Sequence, residues 1–520
     1  MSAIPNPCEV LMINPPWVSK DDNIWHGIKS AMPPLGLLSI ASYIEEEGFN
    51  VAVMDIHVEK YNANQVRRRL AAYNPRVVGI SVMTATANAA HMVARLVKEV
   101  LPESVVVMGG VHAEAVPAET LCNSAVDIVV RGDGEKPFLS ICQGESPEDI
   151  LGVSYRKDLE VVHNTAQEVE MDLDKYPMPA YHLVPMNKYY PAIGAYRNLP
   201  AINMLMTRGC PGKCTFCNSA NTTLRTRSAE RVFNEIKILR ERYNVREIQF
   251  YDDTFTVSKK NVMRFCELMS EAKLGVTWTA FVRADCFSLK MGKAMKEAGC
   301  HQILIGVESA DEDILKNIRK PINKARNTKT IDIAHQVGLE VRVAFIFGSQ
   351  GETVGSMRRS VDYALELDPD IVMFNISTPY PGTQLFKWAQ ENGYLKHEEW
   401  ADYELSTFVL KLPTLDEADL LDAYAEAHKR FYMRPSAIKR RLKKIRRASH
   451  VRDLWLAFWF IVLRHKLGRR GEVRADWIGH KKTDFMDLKL RDQGEARLSW
   501  EVRASEDFMA PQPLVSIASK

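Results

Sequence analysis

The sequence lacks the features that direct a chain into or across a bilayer. Its first residues show no basic stretch followed by a long apolar run, so no signal peptide is evident. An apolar run of ten residues, 454–463, is too short for a transmembrane helix, which takes about 20. Nine cysteines among 520 residues are too few and too unevenly spaced for a disulfide framework. These absences predict a cytoplasmic protein whose thiolates stay free to bind metal.

Net charge is small but unevenly distributed. The formal charge of the chain is +3, yet residues 434–470 contain thirteen Lys or Arg and one acidic residue, a local +12 that leaves −9 elsewhere. Such a run predicts contact with a polyanion, an anionic membrane or an acidic partner. No aromatic residue interleaves the basic cluster and no RNA-binding module accompanies it, so we expect no nucleic-acid partner.

The basic run leads into the apolar segment 454–463, which reads LWLAFWFIVL. Basic residues beside Trp, Phe and Leu are typical of a helix that lies in an anionic membrane interface. The alternative is a buried helix that packs on the rest of the protein, with the basic run as its solvated face. The interfacial alternative predicts a protein peripheral to the inner face of the membrane, and a hydrophobic substrate such as a polycyclic lipid or a tetrapyrrole.

The length exceeds what one hydrophobic core usually serves, so two or three domains are expected. The first, residues 1–150, alternates Val/Ile-rich runs with helical patterns. Runs with little alternation are typical of strands buried on both faces of a parallel sheet, which predicts a doubly wound, Rossmann-like α/β domain. Ligands of such sheets bind at the carboxyl ends of the strands. The predicted strands are 9–16, 50–57, 77–84, 104–113 and 126–135.

A proline-rich stretch, 151–198, is predicted to be a linker. A second α/β series then occupies 199–400. Its six β/α units are too few for an eightfold barrel and predict an open, partial (β/α)6 barrel. A helical, basic C-terminal region, 401–520, completes the chain. The predicted barrel strands are 201–207, 247–253, 276–284, 302–309, 340–348 and 370–378.

Three cysteines, Cys210, Cys214 and Cys217, form a C-x3-C-x2-C array in a glycine-containing loop after the first of these strands. A zinc ion would need a fourth ligand, and no second C-x2-C or H-x3-H lies nearby. Three thiolates could instead bind three irons of a [4Fe–4S] cube and leave the fourth iron open to an exchangeable ligand. The sequence therefore favours an iron–sulfur site.

This array resembles that of the radical S-adenosylmethionine (SAM) superfamily, in which an aromatic residue, here Phe216, precedes the last cysteine. The resemblance continues in FYDDTF (250–255), GVESA (306–310), FIFGSQGET (345–353) and TPYPGT (378–383). It implies a cluster whose open iron binds SAM, ligated by the three cysteines, which are also the catalytic centre. The further SAM-binding residues that it implies are Asp252, Asp253, Glu308, Phe347 and Gly348.

The first domain resembles the cobalamin-binding domain that precedes the barrel in many radical SAM enzymes. The matching segments are MPPLGLLSIASYIEEEG, GISVMT, MGGVHA and VDIVVRGDGE. Glycines permit close approach of backbone to a ligand, and hydroxyls supply hydrogen-bond donors. The cofactor contacts that the resemblance implies are Ser81, Thr84, Gly109, Gly110, Val111, Gly132 and Glu135.

One departure concerns the cobalt ligand. Cobalamin domains that donate an axial histidine carry D-x-H-x-x-G after the first strand, and the corresponding loop here contains only His26 followed by glycine. Asp55 and His57 follow the second strand, on a different loop, where Asp55 is expected to cap a helix or touch a ligand. We therefore expect cobalamin without a histidine ligand from the protein, although His26 and His57 stay candidates.

The resemblance implies a methyltransferase that acts on an unactivated carbon of a hydrophobic small molecule. A 5′-deoxyadenosyl radical would abstract hydrogen, methylcobalamin would deliver the methyl group, and flavodoxin or ferredoxin would supply electrons. The same parts serve other members for ring closure, ring contraction or oxygenation, so a cyclase is the alternative. A cobalamin and iron–sulfur sensor is a more distant one, because a binder would not need the complete set of SAM-side motifs.

Overall fold

The computed structural model describes residues 6–17, 30–158, 160–192, 194–396 and 399–443. Two predominantly parallel sheets flanked by helices account for most of them, and one cluster of buried apolar side chains extends from Val10 to Phe431 through both. Among the described residues, no helix has the length and apolar character needed to cross a bilayer.

The first sheet contains the five strands predicted from Val- and Ile-rich runs, all parallel to one another. Strand order β2-β1-β3-β4-β5 places the crossover between β1 and β3, as in a doubly wound fold. The elements are β1 Val10–Asn14, α1 Leu35–Glu46, β2 Val51–Asp55, α2 Ile56–Glu59, α3 Ala63–Tyr73, β3 Val77–Ser81, α4 Ala87–Val100, β4 Val105–Gly109, α5 Val111–Ala115, α6 Pro117–Cys122, β5 Ile128–Val130 and α7 Glu135–Gln143.

Two further strands extend this sheet into the stretch predicted to be a linker. β6 Val153–Lys157 pairs antiparallel with β5, and β7 Glu160–His163 pairs antiparallel with β6. Asp158 has a φ of 55° in the turn between them, a conformation that Asp tolerates better than most residues. The prediction of a linker was therefore wrong for its first part, because the strands VSYRK and EVVH lack the continuous Val- and Ile-rich runs from which the other strands were predicted.

The second sheet is the predicted partial barrel. Its six parallel strands follow chain order, β8-β11-β12-β13-β14-β15, with helices between them, and a two-stranded ribbon β9–β10 projects after β8. The elements are β8 Ala201–Met204, β9 Thr207–Arg208, β10 Arg225–Thr226, α8 Ala229–Tyr243, β11 Glu247–Phe250, α9 Lys259–Ala272, β12 Thr277–Val282, α10 Leu289–Glu297, β13 Cys300–Glu308, α11 Glu312–Asn317, α12 Lys324–Gln336, β14 Glu340–Phe347, α13 Val354–Leu367, β15 Ile371–Ile376 and α14 Gln384–Glu391.

The barrel encloses an accessible lumen rather than a packed core. Along β14 every second residue is fully buried against the helices, and along β15 the outward-facing residues are likewise buried. The residues between them, which face inward, are only partly buried on both strands. Because both faces of a filled barrel would be buried, this alternation indicates that the lumen is accessible along β14 and β15, whereas β8 and β11 are buried on both faces.

The amino-terminal end of the lumen is closed by a polar plug. Glu247, fully buried, accepts hydrogen bonds from the backbone N–H groups of Arg197 and Asn198, both at 2.8 Å. His301 lies 3.0 Å from the same carboxylate through Nε2. The chain before β8 is thereby bound across this end, so the lumen opens at the carboxyl ends of the strands.

The described C-terminal elements are two helices, α15 Glu417–Tyr432 and α16 Pro435–Lys443. The first part of the basic run is bound to the barrel, because Arg434 and Arg440 each lie 2.6 Å from the carboxylate of Asp368. The rest of the run and the apolar segment 454–463, on which the membrane hypothesis depends, lie outside the described residues.

Candidate functional site

The three cysteines lie in the loop between β9 and β10, at the open end of the barrel. Gly209 starts the loop with a φ of +87°, and a Cβ there would collide with the carbonyl oxygen of Thr223, so glycine is required. Thr222 closes the loop, because its hydroxyl accepts from the N–H of Cys210 at 2.9 Å while its own N–H donates to the Cys210 carbonyl at 3.0 Å. The loop thus has a defined shape without a disulfide.

The thiols of Cys210, Cys214 and Cys217 are partly exposed and close enough to influence one another electrostatically. Burial raises the pKa of Cys217 to about 11, with smaller contributions from Asp253 and the other two thiols. Burial also raises the pKa of Cys214, although Lys320 acts in the opposite direction. Metal binding would therefore have to displace protons from these thiols.

The number of thiols in the loop matches an iron–sulfur cube with one open iron better than a structural zinc site, which takes four ligands. Within the described part of the chain, no three His, Cys, Asp or Glu side chains converge on one metal position. A zinc ion would gather its sulfur ligands at about 2.3 Å from one point. In an iron–sulfur cube each thiolate binds a different iron, which requires a more open set of thiols.

Two neighbouring elements hold the loop from outside. The N–H of Thr215 donates to the Ile318 carbonyl at 3.0 Å, and the N–H of Leu385, in α14, donates to the Thr215 carbonyl at 2.9 Å. The half-buried Phe216 follows Thr215 directly. The loop is therefore fixed between the segment after α11 and the start of α14.

The two predicted aspartates have different surroundings. Asp252 is fully buried, and its Oδ1 accepts from the N–H groups of Met206 and Thr207 at 2.9 and 2.5 Å and from the Thr207 hydroxyl at 2.7 Å. Asp253 instead faces the cysteine loop, where the Ser219 hydroxyl donates to it at 2.9 Å. Asp252 therefore fixes the chain that leads into the loop, while Asp253 is the carboxylate beside the thiols.

Glu308 ends β13 in an unusual backbone conformation. Its φ is 66°, which is rare for residues with a side chain and typical of functional positions, and the register with β14 shifts between Gly306 and Glu308. Lys320 lies 3.0 Å from its carboxylate. Lys320 also acts on the Cys214 thiol, so glutamate, lysine and cysteine form one electrostatic group.

Arg283, at the end of β12, is a second cation beside the thiols. Its pKa is raised, chiefly by the hydrogen bond to Asp285, with which it pairs at 2.8 Å, and further by the neighbouring Cys210. A Cβ at Gly212 would lie 3.1 Å from the Arg283 guanidinium and 3.2 Å from the Cys210 sulfur. Sequence reasoning missed Arg283 and Lys320, because neither belongs to a motif and each acquires its role only through the fold.

Phe347 and Gly348, expected near the adenine of SAM, have packing roles in the structure. The Phe347 ring is fully buried, with its centroid 5.2 Å from that of Phe374. Gly348 has a φ of 79°, and a Cβ there would lie 2.7 Å from Leu420 in α15. The close approach of α15 explains why residue 348 is glycine. Of Phe347 and Gly348, only backbone atoms could therefore contact a cofactor.

The carboxyl edge of the first sheet collects the predicted cobalamin residues at β3 and β4. Ser81 and Gly109 are register partners at the strand ends, and Thr84 lies buried in the following turn. A Cβ at Gly110 would lie 2.9 Å from the Val82 carbonyl oxygen, so the fold explains that glycine. A Cβ at Gly109 would meet only ordinary contacts, the nearest at 3.8 Å. Gly109 is therefore the position at which close approach of a ligand would be the reason for glycine.

Two large apolar side chains are exposed at the same edge. Met83 is 58% exposed and Val111 is 48% exposed, next to the ends of β3 and β4 respectively. His112 points the other way, buried with its ring 5.0 Å from that of Trp400. The edge thus presents an apolar surface above the sheet, as a macrocyclic cofactor would require.

Gly132 and Glu135, predicted to contact cobalamin, belong to the loop that joins the first sheet to the barrel. Gly132 is exposed with a φ of 79°, whereas Glu135 is buried and lies 2.6 Å from the Arg208 guanidinium. Asp133, between them, pairs with Arg225 and lies 3.4 Å from Arg208. The carboxylates of this loop therefore bind the base of the cysteine loop.

A second connection joins the two sites at the end of the last barrel strand. The Pro381 carbonyl accepts from the Asn218 side chain at 3.1 Å, within the cysteine loop. A Cβ at the next residue, Gly382, would lie 3.2 Å from that of Ala115 in α5. One turn thus contacts both the cysteine loop and the helix that follows β4.

Asp55 and His57 lie after β2, as predicted. Asp55 accepts from the Val58 N–H at 3.1 Å and so caps α2, and it also accepts from the Tyr189 hydroxyl at 2.8 Å. His57 Nδ1 lies 3.4 Å from the Trp17 N–H. His26 lies outside the described residues.

Two family models match the chain. Residues 26–141 match the B12 binding domain, and residues 204–364 match the radical SAM superfamily. The chain is 33% identical over 438 residues to an uncharacterised methyltransferase of Pyrococcus horikoshii, covering 83% of this chain and 94% of the relative.

A second relative and a solved structure extend the comparison. The anaerobic magnesium-protoporphyrin IX monomethyl ester cyclase of Rubrivivax gelatinosus is 27% identical over 77% of this chain and 74% of its own. The radical SAM methyltransferase TsrM from Kitasatospora setae, solved with cobalamin and a [4Fe–4S] cluster, superposes with a TM-score of 0.64 at 16% identity. The superposition covers 80% of this chain and 90% of TsrM, and it confirms the predicted fold.

Proposed function

The chain belongs to the family of radical SAM enzymes with a cobalamin-binding domain, and from that premise we propose that it transfers a methyl group to an unactivated carbon of a small molecule. The observation that carries the proposal is the turn at Pro381 and Gly382. It contacts the cysteine loop on one side and the helix after β4 on the other, which supports the proposal that the two cofactors would bind next to one another.

The cluster and SAM would supply the hydrogen-abstracting radical, and cobalamin would carry the methyl group. Cys210, Cys214 and Cys217 would hold the cluster. Asp253 and Glu308 would bind polar groups of SAM, since their carboxylates lie beside the thiols on the Ser219 and Lys320 sides. Asp252 would act indirectly, by holding the chain at Thr207.

On the cobalamin side, Gly109 would admit the cofactor to the backbone, and Ser81 and Thr84 would donate hydrogen bonds. Met83 and Val111 would pack against the macrocycle, which excludes water from the space shared with the barrel. Backbone contacts of Gly110, Gly132 and Gly348 belong to the same proposal. Glu135 would position the first sheet against the cysteine loop through Arg208 rather than contact the cofactor.

Methylation is preferred to cyclisation because the Pyrococcus horikoshii relative, 33% identical over 83% of this chain, is a methyltransferase by name. A cyclase is the second candidate, supported by the Rubrivivax gelatinosus relative. A sensor is the third. The Glu308 carboxylate, held by Lys320 at 3.0 Å, counts against a sensor, because a sensor's cluster would not need a carboxylate that binds SAM.

The test is an anaerobic assay of the full-length protein, reconstituted with iron, sulfide and cobalamin, reduced, and supplied with SAM. The proposal predicts 5′-deoxyadenosine, together with S-adenosylhomocysteine and a mass gain of one methyl when the substrate is present. Cyclisation would give 5′-deoxyadenosine without S-adenosylhomocysteine, and a sensor would give neither product.

Each of the variants Cys210→Ala, Cys214→Ala and Cys217→Ala should lose both the cluster absorbance and SAM cleavage. The matched control is Cys122→Ala, which removes an exposed free thiol of the first domain. Retention of cluster and cleavage by any one of the three loop variants would contradict the assignment of the ligands.

Partners follow from the same premise. We expect flavodoxin or ferredoxin as electron donor, a hydrophobic substrate, and a cytoplasmic protein that contacts the anionic inner membrane face through 434–470. Arg434 and Arg440 are engaged by Asp368, so the contact would fall to the residues beyond α16. Flotation with anionic liposomes of the full chain and of a chain ending at Met433 tests this, because equal and negligible binding would remove the membrane contact.

A further inference from the structure

A half-buried arginine lies on the inner face of the barrel. Val341 and Val343, its neighbours in β14, are fully buried toward the helices, so Arg342 between them faces the lumen. Its register partners are Leu304 on β13 and Ile371 on β15. It therefore sits in the second layer of inward-facing residues, directly above the plug that closes the amino-terminal end.

Arg342 has no carboxylate partner among the residues that the structure describes. Its Nη2 lies 3.4 Å from the Met373 sulfur, a weak acceptor, and its buried Nε has no hydrogen-bond partner. The ionisable groups that act on it are the phenols of Tyr251 and Tyr432. A cation removed from water without an anion beside it is poorly stabilised, so an anion that entered the lumen would bind favourably there.

Other half-buried cations of the barrel are paired. Arg208 binds Glu135 at 2.6 Å, and Lys320 binds Glu308 at 3.0 Å. Glu340, two residues before Arg342 on the same face, lies 2.7 Å from Arg197 in the plug. The nearest carboxylate on the same strand is thus paired with Arg197 rather than with Arg342.

The wall beside Arg342 is aromatic. The rings of Tyr251 and Phe281 stack with centroids 5.5 Å apart and planes 25° apart, and both are only partly buried. One step closer to the open end, the inward-facing residues are Gly306 and Ala344, register partners with little or no side chain. A Cβ at Gly306 would collide with the Glu308 carboxylate and lie 3.2 Å from the Lys320 ammonium, so this ion pair borders the path from the guanidinium to the cysteine loop.

We propose that the substrate carries an anionic oxygen group, a carboxylate or a phosphonate or phosphate ester, which the Arg342 guanidinium binds while an apolar part lies against Tyr251 and Phe281. A planar guanidinium binds such groups through two parallel hydrogen bonds. The anion at the bottom of the lumen would direct the opposite end of the substrate toward the cysteines. This inference rests on the proposed function, since it concerns the substrate of the same site.

The test uses the full-length protein reconstituted with cluster and cobalamin, and three probes of equal ring size: 2-naphthoate, 2-naphthylphosphonate and the neutral 2-naphthalenemethanol. Equilibrium dialysis should give at least one anionic probe a dissociation constant about tenfold below that of the neutral probe. The two anionic arms distinguish a carboxylate from a phosphorus oxyanion. Arg342→Gln should abolish the preference, and Arg358→Gln, which removes an exposed arginine on α13, should keep it.

Equal binding of the charged and neutral probes by the wild type, or a preference that survives Arg342→Gln, would overturn the inference. Removal of an unpaired, half-buried charge should leave the melting temperature of Arg342→Gln equal to or above that of the wild type. Were that variant not to fold, Arg342→Lys keeps the charge but cannot make two parallel hydrogen bonds, so it should reduce the preference for the anionic probe at least threefold. A preference unchanged in Arg342→Lys would contradict the bidentate site.

The outcome is separable from that of the proposed function. A wild type that releases 5′-deoxyadenosine from SAM yet does not prefer the anionic probes would retain the proposed function and lose this inference. A wild type that prefers the anionic probes through Arg342 yet releases no 5′-deoxyadenosine would contradict the proposed function and leave the anion site supported.

Discussion

The carboxylate of Glu135, at the start of α7 in the first domain, lies 2.6 Å from the guanidinium of Arg208, two residues before Cys210. Asp133 lies 3.4 Å from the same guanidinium, and the ring of Tyr176 covers it at 5.4 Å. Because this contact joins the cobalamin-side loop to the cysteine loop, it fixes the separation of the two sites on which methyl transfer would depend.

The ion pair between Glu135 and Arg208 should contribute strongly to stability. Glu135→Ala should lower the free energy of unfolding by about 3 kcal/mol, because it leaves a buried guanidinium with only the longer contact to Asp133. Urea unfolding followed by circular dichroism measures the change.

The matched control is Glu230→Ala, which removes an exposed pair with Arg264 and should change the free energy of unfolding much less. Equal effects of the two substitutions would mean that the Glu135 contact is no more than a surface ion pair.

Lys320 should act on SAM through Glu308. In Lys320→Met the carboxylate loses its partner at 3.0 Å and is free to turn away from the thiols, so the dissociation constant for SAM should rise about tenfold, equivalent to about 1.4 kcal/mol. Binding of SAM to the reconstituted protein, measured by equilibrium dialysis, gives the constant.

Iron content should be unchanged in Lys320→Met, because all three cysteines remain. Lys316→Met removes an exposed lysine of α11 and serves as control. If the dissociation constant for SAM were the same in Lys320→Met as in the wild type, Lys320 would have a purely structural role.

Much of the fold was predictable because parallel strands leave a local signature. All five Val-rich runs of the first domain and all six barrel strands are observed, and they place the C-x3-C-x2-C loop after β8. The hairpin 153–163 escaped prediction because its strands, VSYRK and EVVH, mix charged and polar residues with apolar ones and so lack a continuous Val- and Ile-rich run. A turn at Asp158 was the available signal.

The roles of single charged residues could not be predicted in the same way. Glu135 was expected to contact cobalamin, yet its partner Arg208 is 73 positions away in sequence. Arg342 reads as an ordinary polar residue in an alternating strand, and only the enclosure of the lumen makes it a half-buried cation. Such roles depend on contacts between segments far apart in the chain. Periodicity in a single sequence predicts local helices and strands but not these contacts.

His57 should not ligate cobalt. Its Nδ1 lies 3.4 Å from the Trp17 N–H, and it follows β2 rather than β1. The absorption and electron paramagnetic resonance spectra of the cobalamin-loaded protein should therefore be the same for the wild type and His57→Ala. A changed cobalt spectrum in the variant would identify His57 as an axial ligand.

Asp252 should make stability depend on pH. Burial raises its pKa from the usual 3.8 to about 7, against the hydrogen bonds from Thr207 and Met206 that lower it. The folded chain then binds a proton that the unfolded chain has released, so this contribution is present at low pH and is lost as pH rises from about 4 to about 7. In that window the free energy of unfolding should fall by up to about 1.4 kcal/mol per pH unit.

Asp252→Asn keeps an oxygen that can accept the three hydrogen bonds but does not titrate, so its unfolding free energy should vary less steeply between pH 5 and pH 7. Urea unfolding of the cluster-free chain at pH 5, 6 and 7 provides the comparison. Asp332→Asn, which replaces an exposed carboxylate on α12, should retain the wild-type dependence. If Asp252→Asn and the wild type share one slope, the buried carboxyl is ionised throughout this range, and the hydrogen bonds from Thr207 outweigh its burial.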